Sequence, residues 1–219
     1  MGMDMVKVRA VVRYKKTGLV RFLSAIETAN AIERNLRRTE APLEFSQGFH
    51  RKAKISFLDP TPTGVFNLAL YVTVHLRKHD ENLLHRLKRT ALKGLEPVQL
   101  WWTDLDVNRI VSGYLFRVIL PSDCIDPERF DPQIQVFIPE KNRSGKLEDF
   151  FKRVHFEKVG KFFIVVYYQN REKLVKAKHL YQPILVKECP LVLVQRIEAI
   201  CGETGLSEVL GAKSWAVEF

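Results

Sequence analysis

The run Gly48-Phe49-His50-Arg51-Lys52 gathers the side chains of this sequence best suited to chemistry on an anion. A loop histidine between a glycine and two cations can act as general acid or base on an RNA backbone. The same residue can equally be a surface histidine that supplies one hydrogen bond. Gly48 allows a left-handed backbone or a close approach by a phosphate. His75 and His79 have the i, i+4 spacing of a helical metal pair. They fall where a strand ends, however, and no convincing set of Asp, Glu or Cys completes a metal site. Cys124, Cys189 and Cys201 lie far apart without a CxxC pair, so they read as buried thiols of a reducing cytosol. Walker, GxGxxG and GxSxG signatures are missing from the sequence. Neither a cofactor nor a metal is expected.

The elements that must position this loop are legible from periodicity. In residues 6–14, Val6, Val8, Ala10, Val12 and Tyr14 share one face of a strand, opposite Lys7, Arg9, Val11, Arg13 and Lys15. Ser24 and Glu27 have capping-box spacing and start a helix with Ile26, Ala29, Ile32 and Leu36 as its inner stripe. A second strand at about 52–58 alternates Ala53, Ile55 and Phe57 with Lys52, Lys54 and Ser56. Residues 66–76 alternate again, with Tyr71 and His75 on the polar side. A second helix follows from Asp80 to before Gly94, and residues 96–103 form a fourth strand. The order βαββαβ is the ferredoxin-like pattern. Beyond it, strands are expected at 114–121, 133–139 and 162–168. Residues 147–160 read as a short helix or hairpin arm, 190–202 as a helix and 213–219 as a final strand. The fold class is therefore α+β, a ferredoxin-like unit over 1–108 followed by a second, distorted one over 109–219.

Both helices on one face of the first sheet would leave the other face open. Lys7, Arg9, Arg13, Lys15, Tyr71, His75 and Trp101 would line it. Cations neutralise phosphates and rings stack bases, so such a face suits single-stranded RNA. The other reading is that the face packs against the second half. The net charge of +10 agrees with an anionic partner, either nucleic acid or an acidic protein. Most of the surplus falls before residue 111. No run of 18 apolar residues is present, so neither a membrane span nor a membrane partner is expected.

Residues 12–65 carry a further pattern. It comprises Arg13-Tyr14-x-Lys16-x-Gly18, Arg21-Phe22-Leu23-Ser24, Arg34 and Arg37, Pro42-Leu43, Ser46-Gln47-Gly48-Phe49, Ser56-Phe57, and Pro62-x-Gly64. In these residues the chain resembles the radical-SAM-linked proteins, a bacterial family of unknown function. The resemblance implies a radical SAM protein as partner and a place in RNA metabolism. Two departures stand out. Ala25-Ile26-Glu27 replaces the family's His-Asp after Phe-Leu-Ser, and His50-Arg51-Lys52-Ala53 replaces its Asn-Pro-Arg-Pro. Any chemistry that the missing histidine did is lost here.

Arg13, Lys16, Arg21, Arg51 and Lys52, with Gly48 and Phe49, are expected to form one anion-binding surface. The function expected from it is a non-catalytic RNA-binding module that presents RNA to a radical SAM or RNA-processing partner in the cytoplasm. An endoribonuclease using His50, and a protein-interaction scaffold with a basic face, remain the two other readings. The sequence does not fix an oligomeric state.

Overall fold

The structure is a computed structural model that describes residues 8–47 and 49–212. Lys7, Gly48 and the strand expected at 213–219 lie outside the described residues. The chain divides into two compact units. One holds the described residues up to Ile110 and those from Thr204 onward; the other is Val111–Glu203.

The first unit opens with β1 (Val8–Lys16), a 3-10 turn at Gly18–Phe22 and α1 (Ala25–Arg38). Then follow β2 (Ile55–Phe57), β3 (Phe66–Leu76), α2 (Leu83–Thr90), β4 (Leu95–Trp102) and the single turn α3 (Val107–Ile110). Its strands are ordered β4-β1-β3-β2, with every pair antiparallel. The alternation of β1 sets its faces: Ala10, Val12 and Tyr14 join Ile32, Leu36, Val72, Val74 and Leu87 in one buried cluster. Arg9 and Arg13 therefore point to the other face, opposite His75 and Tyr71 of β3 in register.

Helix α1 starts where its capping box requires. Ser24 Oγ accepts from the Glu27 amide at 3.2 Å, and the Glu27 carboxylate accepts from the Ser24 amide at 2.8 Å. Its buried stripe is Thr28, Ile32, Asn35 and Leu36, while Ile26 is 74% exposed. The expected stripe of Ile26, Ala29, Ile32 and Leu36 is thus turned toward Asn35. That side chain finds three hydrogen-bond partners there, which outweigh one isoleucine. Gly94 ends the α2 segment with φ of +88°, and the Thr17 amide donates to its carbonyl at 2.7 Å. A side chain there would meet the Thr17 carbonyl oxygen at 2.9 Å, so both the turn and the space call for glycine.

In the second unit the strands are β5 (Gly113–Pro121), β6 (Gln135–Ile138), β7 (Arg143–Lys146), β8 (Lys152–Val159), β9 (Phe162–Asn170) and β10 (Leu193–Cys201). Two single-turn helices, α4 (Leu147–Phe150) and α5 (Lys178–Tyr181), lie between them; α6 (Leu206–Ala212) belongs to the first unit. The main sheet has the order β10-β5-β9-β8, all antiparallel, and β6 and β7 form a separate hairpin. Residues 190–202, expected as a helix, hold β10 instead. The segment reads either way: its helix formers Gln195, Arg196, Glu198 and Ala199 sit among Val194, Ile197 and Ile200. A bulge between Arg196 and Glu198 also breaks its alternation. Pairing with β5 decides the matter. Arg196 is 1% exposed, with its guanidinium 3.9 Å from the Tyr114 ring centre.

After β6, Glu140 accepts from Lys176 at 2.8 Å and lies 3.2 Å from His179 Nε2. The Lys176 ammonium, foremost, holds its carboxyl down to about 2. A carboxylate whose pKa is depressed on folding stabilises above its ordinary value near 4.5, and that contribution fades as the pH falls through 2. Glu140→Gln is expected to lower the Tm at pH 7. Calorimetry across pH should show the difference shrinking below pH 4.5 and closing at about pH 2.

Candidate nucleic-acid interface

The loop that carries Phe49–Lys52 is a pinned arm. At its base the Glu44 amide donates to the His75 carbonyl at 2.9 Å, and the His75 amide donates to the Lys54 carbonyl at 3.0 Å. Between the two limbs, the Lys54 amide donates to the Glu44 carbonyl at 2.8 Å and the Ser46 amide to the Lys52 carbonyl at 2.8 Å. Ser46 Oγ in turn accepts from the Lys52 amide at 3.1 Å, as a short polar side chain at a turn is able to do. The arm is therefore tied to β3 and to itself.

At the tip the side chains are bare. Phe49 is 99% exposed, and its ring meets His50 edge-on at 5.2 Å. Arg51 and Lys52 are exposed, and among the described residues neither has a carboxylate partner. Lys54, nearer the base, is paired with Glu44 at 2.5 Å. No acid or base stands against the His50 ring among the described residues.

The other expected cations are placed differently. Lys16 is buried, 3% exposed, with Nζ donating to the Leu23 carbonyl at 2.6 Å. Arg13 donates through Nε to the Leu68 carbonyl at 2.9 Å and lies 5.7 Å over the Tyr71 ring. Arg21 donates to the Gly18 carbonyl at 2.7 Å, with its guanidinium 4.2 Å from the Phe22 ring centre and 4.8 Å from that of Phe66. Burial takes Lys16 off any surface; Arg13 and Arg21 are half-buried and each spends donors internally, while Arg51 and Lys52 are exposed at the arm tip.

The open face needs correction as well. Arg9 is half-buried, its guanidinium donating to the Asp104 carbonyl at 3.0 Å. Tyr71 is wholly buried and Trp101 is 7% exposed, their ring centres 6.1 Å apart. Rings so covered cannot stack bases. Alternation fixes the side to which a residue points, and nothing in it says whether that side is covered. Lys15 is exposed, and a recess of about 290 Å³ lined by Arg9, Glu44, Lys54, His75 and Asp104 is accessible. Burial, and next the Arg9 charge, push the His75 pKa below its ordinary 6.5, so this imidazole is neutral at pH 7. It offers a hydrogen bond and no charge.

His79 packs its ring on Trp102 at 4.1 Å instead of pairing with His75. Among the described residues, no three His, Cys, Asp or Glu side chains stand close enough to hold a metal ion. The Cys124 thiol is pushed up to about 11 by burial and by its contact with Cys189, and burial pushes Cys201 to about 11. Thiols so shifted are poor nucleophiles at neutral pH. Within the described residues no helix is long and apolar enough to cross a membrane.

No curated protein matches the chain. Residues 9–144, which run from β1 through the arm to the β6–β7 hairpin, do match a bacterial family. That span is more than half of the sequence, and the chain belongs to this family, described as an uncharacterized protein conserved in bacteria (DUF2344).

Proposed function

We propose that the chain is a non-catalytic RNA-binding module that grips single-stranded RNA with the tip of its arm. The observation that carries this reading is Phe49, a phenyl ring left 99% exposed beside His50, Arg51 and Lys52. A fully exposed phenyl ring presents both its faces to a partner that can stack on it. A base stacked on that ring, with neighbouring phosphates on Arg51 and Lys52, uses both features at once. The hydrogen bonds that close the arm through Ser46 and Lys52 lower the cost of ordering it on binding. The order β4-β1-β3-β2 beneath it supports a ferredoxin-like first unit. The resemblance to radical-SAM-linked proteins supports a radical SAM partner, to which the bound RNA is presented.

Binding of a mixed-sequence single-stranded RNA, measured over a salt series, tests the proposal. Each phosphate contact adds about −0.7 to the slope of log affinity against log salt. The double variant Arg51→Ala/Lys52→Ala should flatten that slope by about 1.4 and weaken most sequences alike. Phe49→Ala should cost about 1–3 kcal/mol with the slope unchanged. His50→Ala should bind almost as wild type. Cleavage of the RNA that disappears in His50→Ala would turn the reading to an endoribonuclease. No binding by wild type at low salt would end it and leave the basic arm to an acidic protein.

A further inference from the structure

We propose a second site, independent of the arm: a pocket in the first unit that binds a small monocarboxylate with an apolar body, its carboxylate on Lys16. A cavity of about 260 Å³ lies beside the first turn of α1, walled by Ile26, Ala29, Phe57, Leu58 and Leu70, with Lys16 in its lining. That is just under the roughly 300–1,000 Å³ of sites for drug-sized ligands, so the occupant is small.

A lysine only 3% exposed among such walls is costly, because burial strips an ammonium of its hydration and the carboxylate whose charge reaches it, Glu27, makes no hydrogen bond to it among the described residues. Lys16 has one hydrogen-bond acceptor, the Leu23 carbonyl at 2.6 Å, and two further N–H donors without an acceptor among the described residues. Glu27, whose charge acts on Lys16, spends a carboxylate oxygen on the Ser24 amide at 2.8 Å in the capping box. Two other polar groups of the lining are already engaged. Thr28 donates to the Ser24 carbonyl at 2.7 Å, and Asn67 Oδ1 accepts from the Ala69 amide at 3.0 Å. Burial lowers the Lys16 pKa, and the opposing pull of the Glu27 charge does not make up for the lost hydration.

A ligand carboxylate would supply the missing acceptors and a negative charge in direct contact, and the apolar walls would take its body. Ile26, 74% exposed in the pocket lining, gives that body an apolar edge to cross on entry. The positive end of the α1 dipole, whose first-turn residues Ala25 and Ile26 also line the cavity, favours the same sign of ligand.

The probes are hexanoate and hexan-1-ol, which share a body and differ in the head group. Titration followed by calorimetry and amide NMR should show hexanoate binding at least about tenfold more tightly than the alcohol. Lys16→Met keeps the apolar volume and removes the charge. It should lose about tenfold or more in hexanoate affinity while hexan-1-ol changes less than about twofold. Ala29→Leu keeps Lys16 and fills the cavity, and should abolish binding of both probes while the circular dichroism spectrum stays that of wild type. The proposal is overturned if neither probe binds at millimolar concentration. It is equally overturned if the alcohol binds as well as the acid, or if hexanoate binds Ala29→Leu undiminished.

Discussion

Asn35→Leu should destabilise the first unit by about 3 kcal/mol without opening a cavity. Asn35 is 5% exposed on α1, and its amide joins three elements. Oδ1 accepts from the Tyr14 hydroxyl of β1 at 3.0 Å; Nδ2 donates to the Leu87 carbonyl at 3.1 Å and to Thr90 Oγ1 at 2.8 Å, both on α2. Leucine has a similar volume, so the loss falls on the partners. The Tyr14 side chain is wholly buried, its pKa pushed up by that burial, and water cannot replace Asn35 there. The Leu87 carbonyl lies in the last turn of α2, where carbonyls lack helical partners. A buried group stranded in this way costs about 1–3 kcal/mol, and two are stranded. Tyr14→Phe removes only one bond and should cost about 1 kcal/mol. The double variant should then cost about 1 kcal/mol less than the sum, since no hydroxyl is left behind. Urea denaturation monitored on the unit measures all three. A loss under about 1 kcal/mol for Asn35→Leu would mean that water reaches this hub.

The same residue shows how far sequence reasoning reaches. Strong local signals survive folding: the β1 alternation buries Ala10, Val12 and Tyr14, and the Ser24–Glu27 box starts α1. Each is set by neighbours within one element. Asn35 carries no such signal, because its partners lie 21, 52 and 55 residues away. A hydrophobic stripe drawn through Ile26 and Ala29 therefore misses the polar hub that turns the helix.

Lys16 was within reach of the sequence and shows a different limit. Its parity places it on the face of Val12 and Tyr14, which is buried. Read as the start of a turn, though, it looks like one more surface cation. β1 in fact continues through Lys16, with register shifts on both sides as it leaves the sheet. The candidate interface divides along the same line. Arg51 and Lys52 are exposed as their loop composition suggests, whereas Tyr71 and Trp101 are covered by packing that no single strand encodes. In β10 the composition suited helix and strand alike, and the open edge of β5 made the choice.

Gly113→Ala should cost the second unit about 3 kcal/mol or more, for want of room and not because of backbone angle. Gly113 opens β5, between Asn170 of β9 and Ile200 of β10 in register. A methyl group at this Cα would lie 2.3 Å from the Gln169 carbonyl oxygen and 2.4 Å from the Tyr168 hydroxyl. Real Cβ contacts do not come so close. The carbonyl belongs to the backbone of the paired strand, and Gln169 is 1% exposed, so it cannot step aside. The tyrosine is held as well: its hydroxyl is 3.5 Å from Ser112 Oγ, which in turn donates to the Ile200 carbonyl at 3.1 Å. Relief must come from parting β5 and β9 at this end, with loss of the ladder bonds there. Gly160→Ala makes the contrast. Its φ is +57° and its Cβ would meet nothing within 4 Å, so only the left-handed backbone is penalised, by about 1–2 kcal/mol. Denaturation midpoints should rank wild type, Gly160→Ala and Gly113→Ala in falling order. Amide exchange should speed up at the Gly113 end of β5 in the last variant alone. A midpoint for Gly113→Ala at or above that of Gly160→Ala would show that the two strands yield at that end without loss of pairing.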